Sequence, residues 1–283
     1  MANISFLGTG LLGSAFAQAC AQRGDSVTVW NRSMHKAEAL KPFGIKVQSE
    51  AAAAVQGSDR VHLVLKDDAV VEEVIQAAKS GLSANAILID HSTTLPRLTA
   101  ARLERLNALG IKYLHCPVFM GPLHARNAQG SMLVAGPKAL FDQVQTSLAA
   151  MTGRLEYLGE RGDLAAVNKL MGNAMIIGLT GITADVLTIA QAGGVDPQDA
   201  IKLLGTLDLN AMLAARGLNM AKGHFAASFE LAMAHKDVQL MLTTVGARPM
   251  AVLPGIEARM DQLIAQGHGA KDTSVIGMDA LTR

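Results

Sequence analysis

Asn3–Gly13 reads NISFLGTGLLG, a short apolar run that ends in Gly8-Thr9-Gly10-Leu11-Leu12-Gly13. Small and apolar residues recur at helical spacing from Ala15 to Cys20, and Gly24 offers a stop. Ser26–Trp30 (SVTVW) then has strand composition. Strand, Gly-x-Gly-x-x-Gly, helix and strand, in that order, form the dinucleotide-binding fingerprint. Gly8 permits the tight turn, Gly10 lets backbone amides approach a pyrophosphate, and Gly13 lets helix and strand pack closely. The helix N-terminus then stabilises phosphate charge. Thr9, Leu11 and Leu12 lie within the loop and join the three glycines as candidate cofactor contacts.

The end of the second strand selects the cofactor. An NAD site usually places a carboxylate there for the ribose hydroxyls. This chain has Asn31-Arg32-Ser33 instead. A guanidinium and a hydroxyl suit a 2′-phosphate, so NADP(H) is expected in preference to NAD(H). The bland alternative is an arginine in a solvated loop.

Strand and helix patterns go on alternating. Asp59–Leu65 reads as a buried strand with Leu65 at its ligand end, Ala69–Ala78 as helix, and Ala86–Ile89 as strand. Asp90-His91-Ser92-Thr93-Thr94 follows that strand. In an open parallel sheet strand ends face the ligand crevice, which places Ser92 and Thr93 near a nicotinamide. Capping of the helix Leu95–Leu106 would explain the same residues equally well. Lys112–Cys116 is a strand leading into Pro117–Pro122. A helix pattern around Leu123–Ala128, a strand Ser131–Ala135, a helix Leu140–Met151 and a strand Arg154–Leu158 complete a doubly wound sheet with extra strands.

From about Asp163 to Gly194 apolar residues recur at helical spacing with no proline. Lys169 and Asn173, four apart, fall on one face. Helix patterns alone follow: one opening at Pro197 with Asp196 as cap, then Asn210–Met220, Leu231–Val245, Pro249–Gln266 and a short final helix. The expected fold is α/β. A Rossmann-type doubly wound domain occupies residues 1–162, and an all-α C-terminal domain occupies 163–283, beginning with the inter-domain helix 163–194.

Composition narrows the function. A chain of 283 residues with 50% hydrophobic and 17% charged residues suits two compact domains. Its net charge of +1 argues against a nucleic-acid face built on bulk charge. Leu170–Ile189 tempts as a membrane span, yet its Asn173 and Asp185 favour a buried inter-domain or subunit-interface helix. Cys20 and Cys116 suggest no disulfide framework, and the N-terminus no signal peptide, so a cytoplasmic location is expected. The eight histidines show no metal-ligand spacing, so no metal is expected.

Seven segments together resemble the β-hydroxyacid dehydrogenase family, which includes 3-hydroxyisobutyrate dehydrogenases and is related to 6-phosphogluconate dehydrogenase. They are FLGTGLLG, WNRS, DHSTT, CPVFMG, AQGSMLVAG, NKLMGN and FELAMAHKD. The resemblance spans nearly the whole chain. It implies that Lys169 is the catalytic lysine and that Asn173 holds substrate beside it. It also implies that Lys236 reaches the cofactor, that Asp237 lies at the substrate, that Ser92 and Thr93 lie near nicotinamide and substrate, and that the protein is a homodimer or homotetramer. Where the family commonly has Ser-Gly-Gly against a substrate carboxylate, this chain has Phe119-Met120-Gly121, so a larger or more apolar carbonyl compound is expected. Lysine chemistry fits: an ammonium polarises a carbonyl and donates the proton that accompanies hydride addition. Two alternatives stand beside a carbonyl reductase: an imine reductase on the same fold, and a non-catalytic NADP-binding sensor.

Overall fold

The computed structural model describes residues 2–281. Nine strands form one sheet: β1 (Asn3–Leu7), β2 (Ser26–Trp30), β3 (Lys46–Val47), β4 (Arg60–Leu63), β5 (Ile87–Asp90), β6 (Lys112–His115), β7 (Val118–Phe119), β8 (Ser131–Ala135) and β9 (Arg154–Gly159). Their order is β3-β2-β1-β4-β5-β6-β8-β7, with β9 paired to β8. The first six are parallel, in the order expected of a dinucleotide-binding sheet. β8 runs antiparallel to β6 and β7.

Seven helices connect these strands: α1 (Leu11–Gln22), α2 (Met34–Glu38), α3 (Ala51–Val55), α4 (Asp68–Ala78), α5 (Pro96–Ala108), α6 (Pro122–Arg126) and α7 (Lys138–Ala149). Period-two alternation along the strands sorts the side chains between two cores. Ile4, Phe6, Ile87 and Ile89 meet Phe16 and Phe141 in one, while Leu7, Val61, Leu63 and Leu88 meet Val71, Val74 and Leu106 in the other.

The long helix is α8 (Leu164–Ala192), followed by α9 (Pro197–Leu204), α10 (Leu209–Lys222), α11 (Leu231–Val245) and α12 (Leu253–Ala265). The chain forms two compact units that divide within α8, after Asn173. The first turns of α8, with Lys169 and Asn173, therefore group with the sheet. By length and composition α8 could cross a membrane, but its Asp185 is buried and accepts the backbone N–H groups of Ala251 (2.6 Å), Val252 (2.9 Å) and Leu253 (2.9 Å). Burial alone would raise this carboxyl's pKa; three backbone donors outweigh it and hold the pKa low. Leu231, Val238, Leu253, Met260 and Leu263 form the helical unit's own core.

Several boundaries differ from the sequence reading. β4 stops at Leu63 because β1, its neighbour, ends at the paired Leu7, which frees Val64 and Leu65 to turn into a loop. α12 begins at Leu253 rather than Pro249, since Asp185 holds the preceding turn in a non-helical conformation. Strands β3 and β7, two residues each, are too short to show a period. The expected final helix is a 3₁₀ segment, Thr273–Leu281; Thr282 and Arg283 lie outside the described residues.

Candidate active site

At the end of β1 the chain turns through Gly8, whose φ of 101° favours glycine. A side chain there would stand 2.3 Å from the Val64 carbonyl oxygen. At Gly13 a Cβ would lie 2.1 Å from the Gly8 carbonyl oxygen, so the close packing of α1 on the loop requires glycine. Gly10 is the N-cap of α1, has open space where a Cβ would go, and makes no side-chain cap. The first amides of α1 thus point into a cradle that any side chain at Gly10 would fill, which fits a pyrophosphate.

Asn31 shapes this loop. Its Oδ1 accepts the Thr9 N–H at 3.0 Å and its Nδ2 donates to the Ser33 carbonyl at 3.0 Å. Its side chain is therefore committed to the protein, and Asn31 serves the cofactor loop by bracing it. Gly8, Gly10, Asn31, Arg32, Ser33 and Leu65 line one cavity of about 240 Å³. Arg32 is exposed and makes no ion pair among the described residues. Lys36, Lys66 and Trp30 line the same cavity. Sequence reasoning missed the two lysines, which carry no motif of their own. Leu11 is 82% exposed at the helix start, while Leu12 packs against the core.

Neither Ser92 nor Thr93 caps α5; Leu95 is its N-cap, without a side-chain bond. Instead buried Ser92 ties two strand ends together, its Oγ accepting the Leu65 N–H at 3.0 Å. Asp90 Oδ1 accepts the Ser92 N–H at 2.9 Å, and Asp90 Oδ2 accepts the Tyr113 hydroxyl at 2.8 Å. Arg102, fully buried, completes this network with Asp68 and Glu72 at 2.8 Å each. Thr93 is exposed and lines a second cavity of about 440 Å³ with Asp67, Asp68 and Leu170.

Under the loop lies an aromatic stack. His62 lies between Phe6 (centroids 4.7 Å apart) and His91 (5.2 Å), and Phe16 sits 5.2 Å beyond His91. His91 Nδ1 lies 2.7 Å from the Cys116 carbonyl oxygen, which can only accept, so this nitrogen carries the proton. His91 Nε2 then accepts from His62 Nδ1 at 2.9 Å, and His62 Nε2 has no partner among the described residues. Burial, which disfavours the charged ring, lowers the His91 pKa from 6.5 to about 4 and puts that of His62 well below the ordinary range. Unfolded histidines bind protons below about pH 6.5. Stability should therefore be intact above that pH and fall as pH drops toward 4, by roughly 3 kcal/mol from His91 alone. Urea unfolding at pH 7.5 and pH 4.5 checks this; an unchanged midpoint would contradict it.

Lys169 occupies the first turns of α8 and is 9% exposed. Its Nζ donates to the Val118 carbonyl oxygen at 2.7 Å and sits 4.1 Å from the centre of the Phe119 ring. Burial lowers its pKa below the ordinary lysine value. Asn173, one turn on, is half-buried and makes no side-chain hydrogen bond among the described residues. Phe119 packs in a cluster with Ala165 of this helix, half-buried Met120 packs against the sheet's core, and the Gly121 N–H donates to His124 Nδ1 at 3.3 Å. His115 is buried and donates from Nε2 to the Ser92 carbonyl at 3.0 Å. The first unit thus brings Lys169 and Phe119 together, places Met120 against the sheet's core, and gathers the glycine loop with Arg32, Ser33 and Leu65. Lys236 and Asp237 lie on α11 in the helical unit, where they pair with each other at 3.1 Å. Among the described residues no group of three His, Cys, Asp or Glu is placed to hold a metal.

Residues 3–159 match the model of the NAD binding domain of 6-phosphogluconate dehydrogenase. Residues 164–278 match that of the NAD-binding domain of NADP-dependent 3-hydroxyisobutyrate dehydrogenase. The chain is 28% identical to glyoxylate/succinic semialdehyde reductase 2 of Arabidopsis thaliana, over 95% of this chain and 76% of that protein. It is 27% identical to 2-hydroxy-3-oxopropionate reductase of Escherichia coli, over 86% of this chain and 84% of that one. An imine reductase from Myxococcus stipitatus, solved with NADP+, shares the fold with a TM-score of 0.87 at 20% identity, covering 97% of this chain and 98% of that chain. The chain belongs to the β-hydroxyacid dehydrogenase family of 3-hydroxyisobutyrate and 6-phosphogluconate dehydrogenases, and it is an NAD(P)-dependent oxidoreductase.

Proposed function

We propose that this protein reduces carbonyl compounds with NADPH, with Lys169 as the proton donor. The observation that carries the reading is the buried Lys169 ammonium, held at 2.7 Å by the Val118 carbonyl on a strand of the cofactor-binding unit. When bound, the nicotinamide cofactor supplies the hydride that adds to the carbonyl carbon. Lys169 gives its proton to the oxygen, and in the reverse direction the neutral amine takes it back. Burial favours that neutral form, which suits an acid that must also act as a base. Asn173 has a free amide one turn along and orients the substrate oxygen. Incubation with aldehydes, keto acids and cyclic imines, followed through NADPH absorbance, tests the reading. Turnover confined to imines would make the protein an imine reductase; binding without any turnover would make it a sensor.

Preference for NADP rests on Arg32, which lines the cofactor cavity with Ser33 and no carboxylate from the end of β2. Arg32→Ala should raise the KM for NADPH about tenfold while leaving that for NADH nearly unchanged. Equal effects on the two cofactors would contradict the assignment.

A second copy of the chain is the proposed partner, with the cytoplasm as its setting. The helical unit exposes Ile176 (53%), Ile177 (70%), Leu203 (61%), Leu213 (52%) and Leu218 (54%), and Leu213 lines an apolar cavity with Met175, Leu179 and Met212, surface that a second copy would cover. Light scattering should report a homodimer or homotetramer.

A further inference from the structure

The residue that gives the Lys169 site its character is Phe119. Its ring faces the ammonium at 4.1 Å, while the carbonyl of the preceding residue, Val118, takes one of the ammonium's protons. The ring has this place because residue 172 is glycine. A Cβ on Gly172 would come within 2.2 Å of Phe119 Cζ and 2.6 Å of Cε1. Phe119 and Gly172 are thus a matched pair, ring against bare backbone, on the helix turn that presents Lys169.

The consequence is chemical. The π face of a ring stabilises an ammonium but offers no donor to a substrate oxygen. Nor does the rest of the loop make up the loss: the Gly121 N–H is turned toward His124 Nδ1. A substrate carboxylate entering beside Lys169 would meet a hydrocarbon ring in place of a hydroxyl donor.

We infer that Phe119, seated by Gly172, is both a positioning residue for Lys169 and the specificity determinant of the site, which selects uncharged carbonyl compounds with apolar substituents over carboxylate-bearing ones. This rests on Lys169 being the proton donor and names the substrate class at that same site.

The test uses butanal and succinic semialdehyde, four-carbon aldehydes that differ by a carboxylate, with NADPH. The wild-type kcat/KM should favour butanal by roughly tenfold or more. Phe119→Ser restores a hydroxyl and opens space, and should cut that preference by about tenfold. Phe119→Leu keeps bulk but removes the π face, so the high-pH limb of kcat/KM for butanal should move down by about one pH unit. Phe119→Tyr keeps the π face and should hold the limb in place. Gly172→Ala displaces the ring without altering it; it should shift the limb as Phe119→Leu does and add nothing in the double variant. Thermal denaturation confirms that each variant is folded, and Gly172→Ala carries the test if Phe119→Leu is not. An unmoved limb in the folded variants, or wild-type use of succinic semialdehyde equal to that of butanal, or turnover of neither, overturns the inference. Lys169→Met separates the two levels. If it is inactive while Phe119→Leu keeps the wild-type profile, the ring assignment alone fails; if it retains full turnover, the lysine reading fails as well.

Discussion

Lys169→Met should lower kcat/KM for carbonyl reduction by roughly 10³–10⁴-fold, about 4–5.5 kcal/mol of transition-state stabilisation. Methionine preserves much of the length and apolar stem but removes both the proton and the charge. Because Lys169 contacts Val118 and Phe119 rather than the glycine loop, NADPH affinity should change little. Quenching of Trp30, the chain's one tryptophan, reports that binding, since the residue lines the cofactor cavity. The lost hydrogen bond leaves the Val118 carbonyl without its lysine partner, a modest cost that thermal denaturation measures separately. In the wild type the reductive rate should fall as pH rises through the lysine's lowered pKa, and the oxidative rate should rise over the same range. A variant that turns over at near wild-type rate would remove lysine from the mechanism.

Asp185→Ala should destabilise the helical unit by about 3 kcal/mol, a drop in Tm of about 5–10 °C. One buried carboxylate accepts three consecutive backbone N–H groups as the chain enters α12, amides that a new helix cannot satisfy itself. Alanine strands all three together. Asp185→Asn keeps one acceptor oxygen and should recover part of the loss. The lowered pKa gives the direction with pH: the contribution is present above the ordinary carboxylate range and is lost as pH falls through the folded value. Urea unfolding of both variants, followed by circular dichroism, measures it. An unchanged midpoint for Asp185→Ala would show that water replaces the carboxylate at no cost.

The architecture of the first unit was legible because its signals are local. Gly8 and Gly13 carry steric requirements that hold wherever the motif folds, and the structure shows them as a 2.3 Å conflict at Gly8 and a 2.1 Å conflict at Gly13. Long-range polar partnerships were not legible. Ser92 could have been a helix cap or a ligand contact; its bond to the Leu65 amide bridges 27 residues and follows from sheet order alone. Asp90, Tyr113 and Arg102 form a buried network for the same reason. Phe119 read as a missing hydroxyl in the sequence. Only the fold shows what it supplies, a π face against Lys169 with Gly172 making the room. In the helical unit, apolar periodicity located the helices, but Asp185 set where α12 begins.

The central claim is hydride transfer from NADPH to a carbonyl carbon with Lys169 supplying the proton. Its most direct test incubates the protein with butanal and NADPH deuterated at nicotinamide C4, followed by mass analysis of the product. The expected result is one deuterium on the carbinol carbon with wild-type protein and essentially none with Lys169→Met at equal cofactor occupancy. Unreacted aldehyde with every carbonyl offered, or equal deuterium transfer by both proteins, would contradict the account.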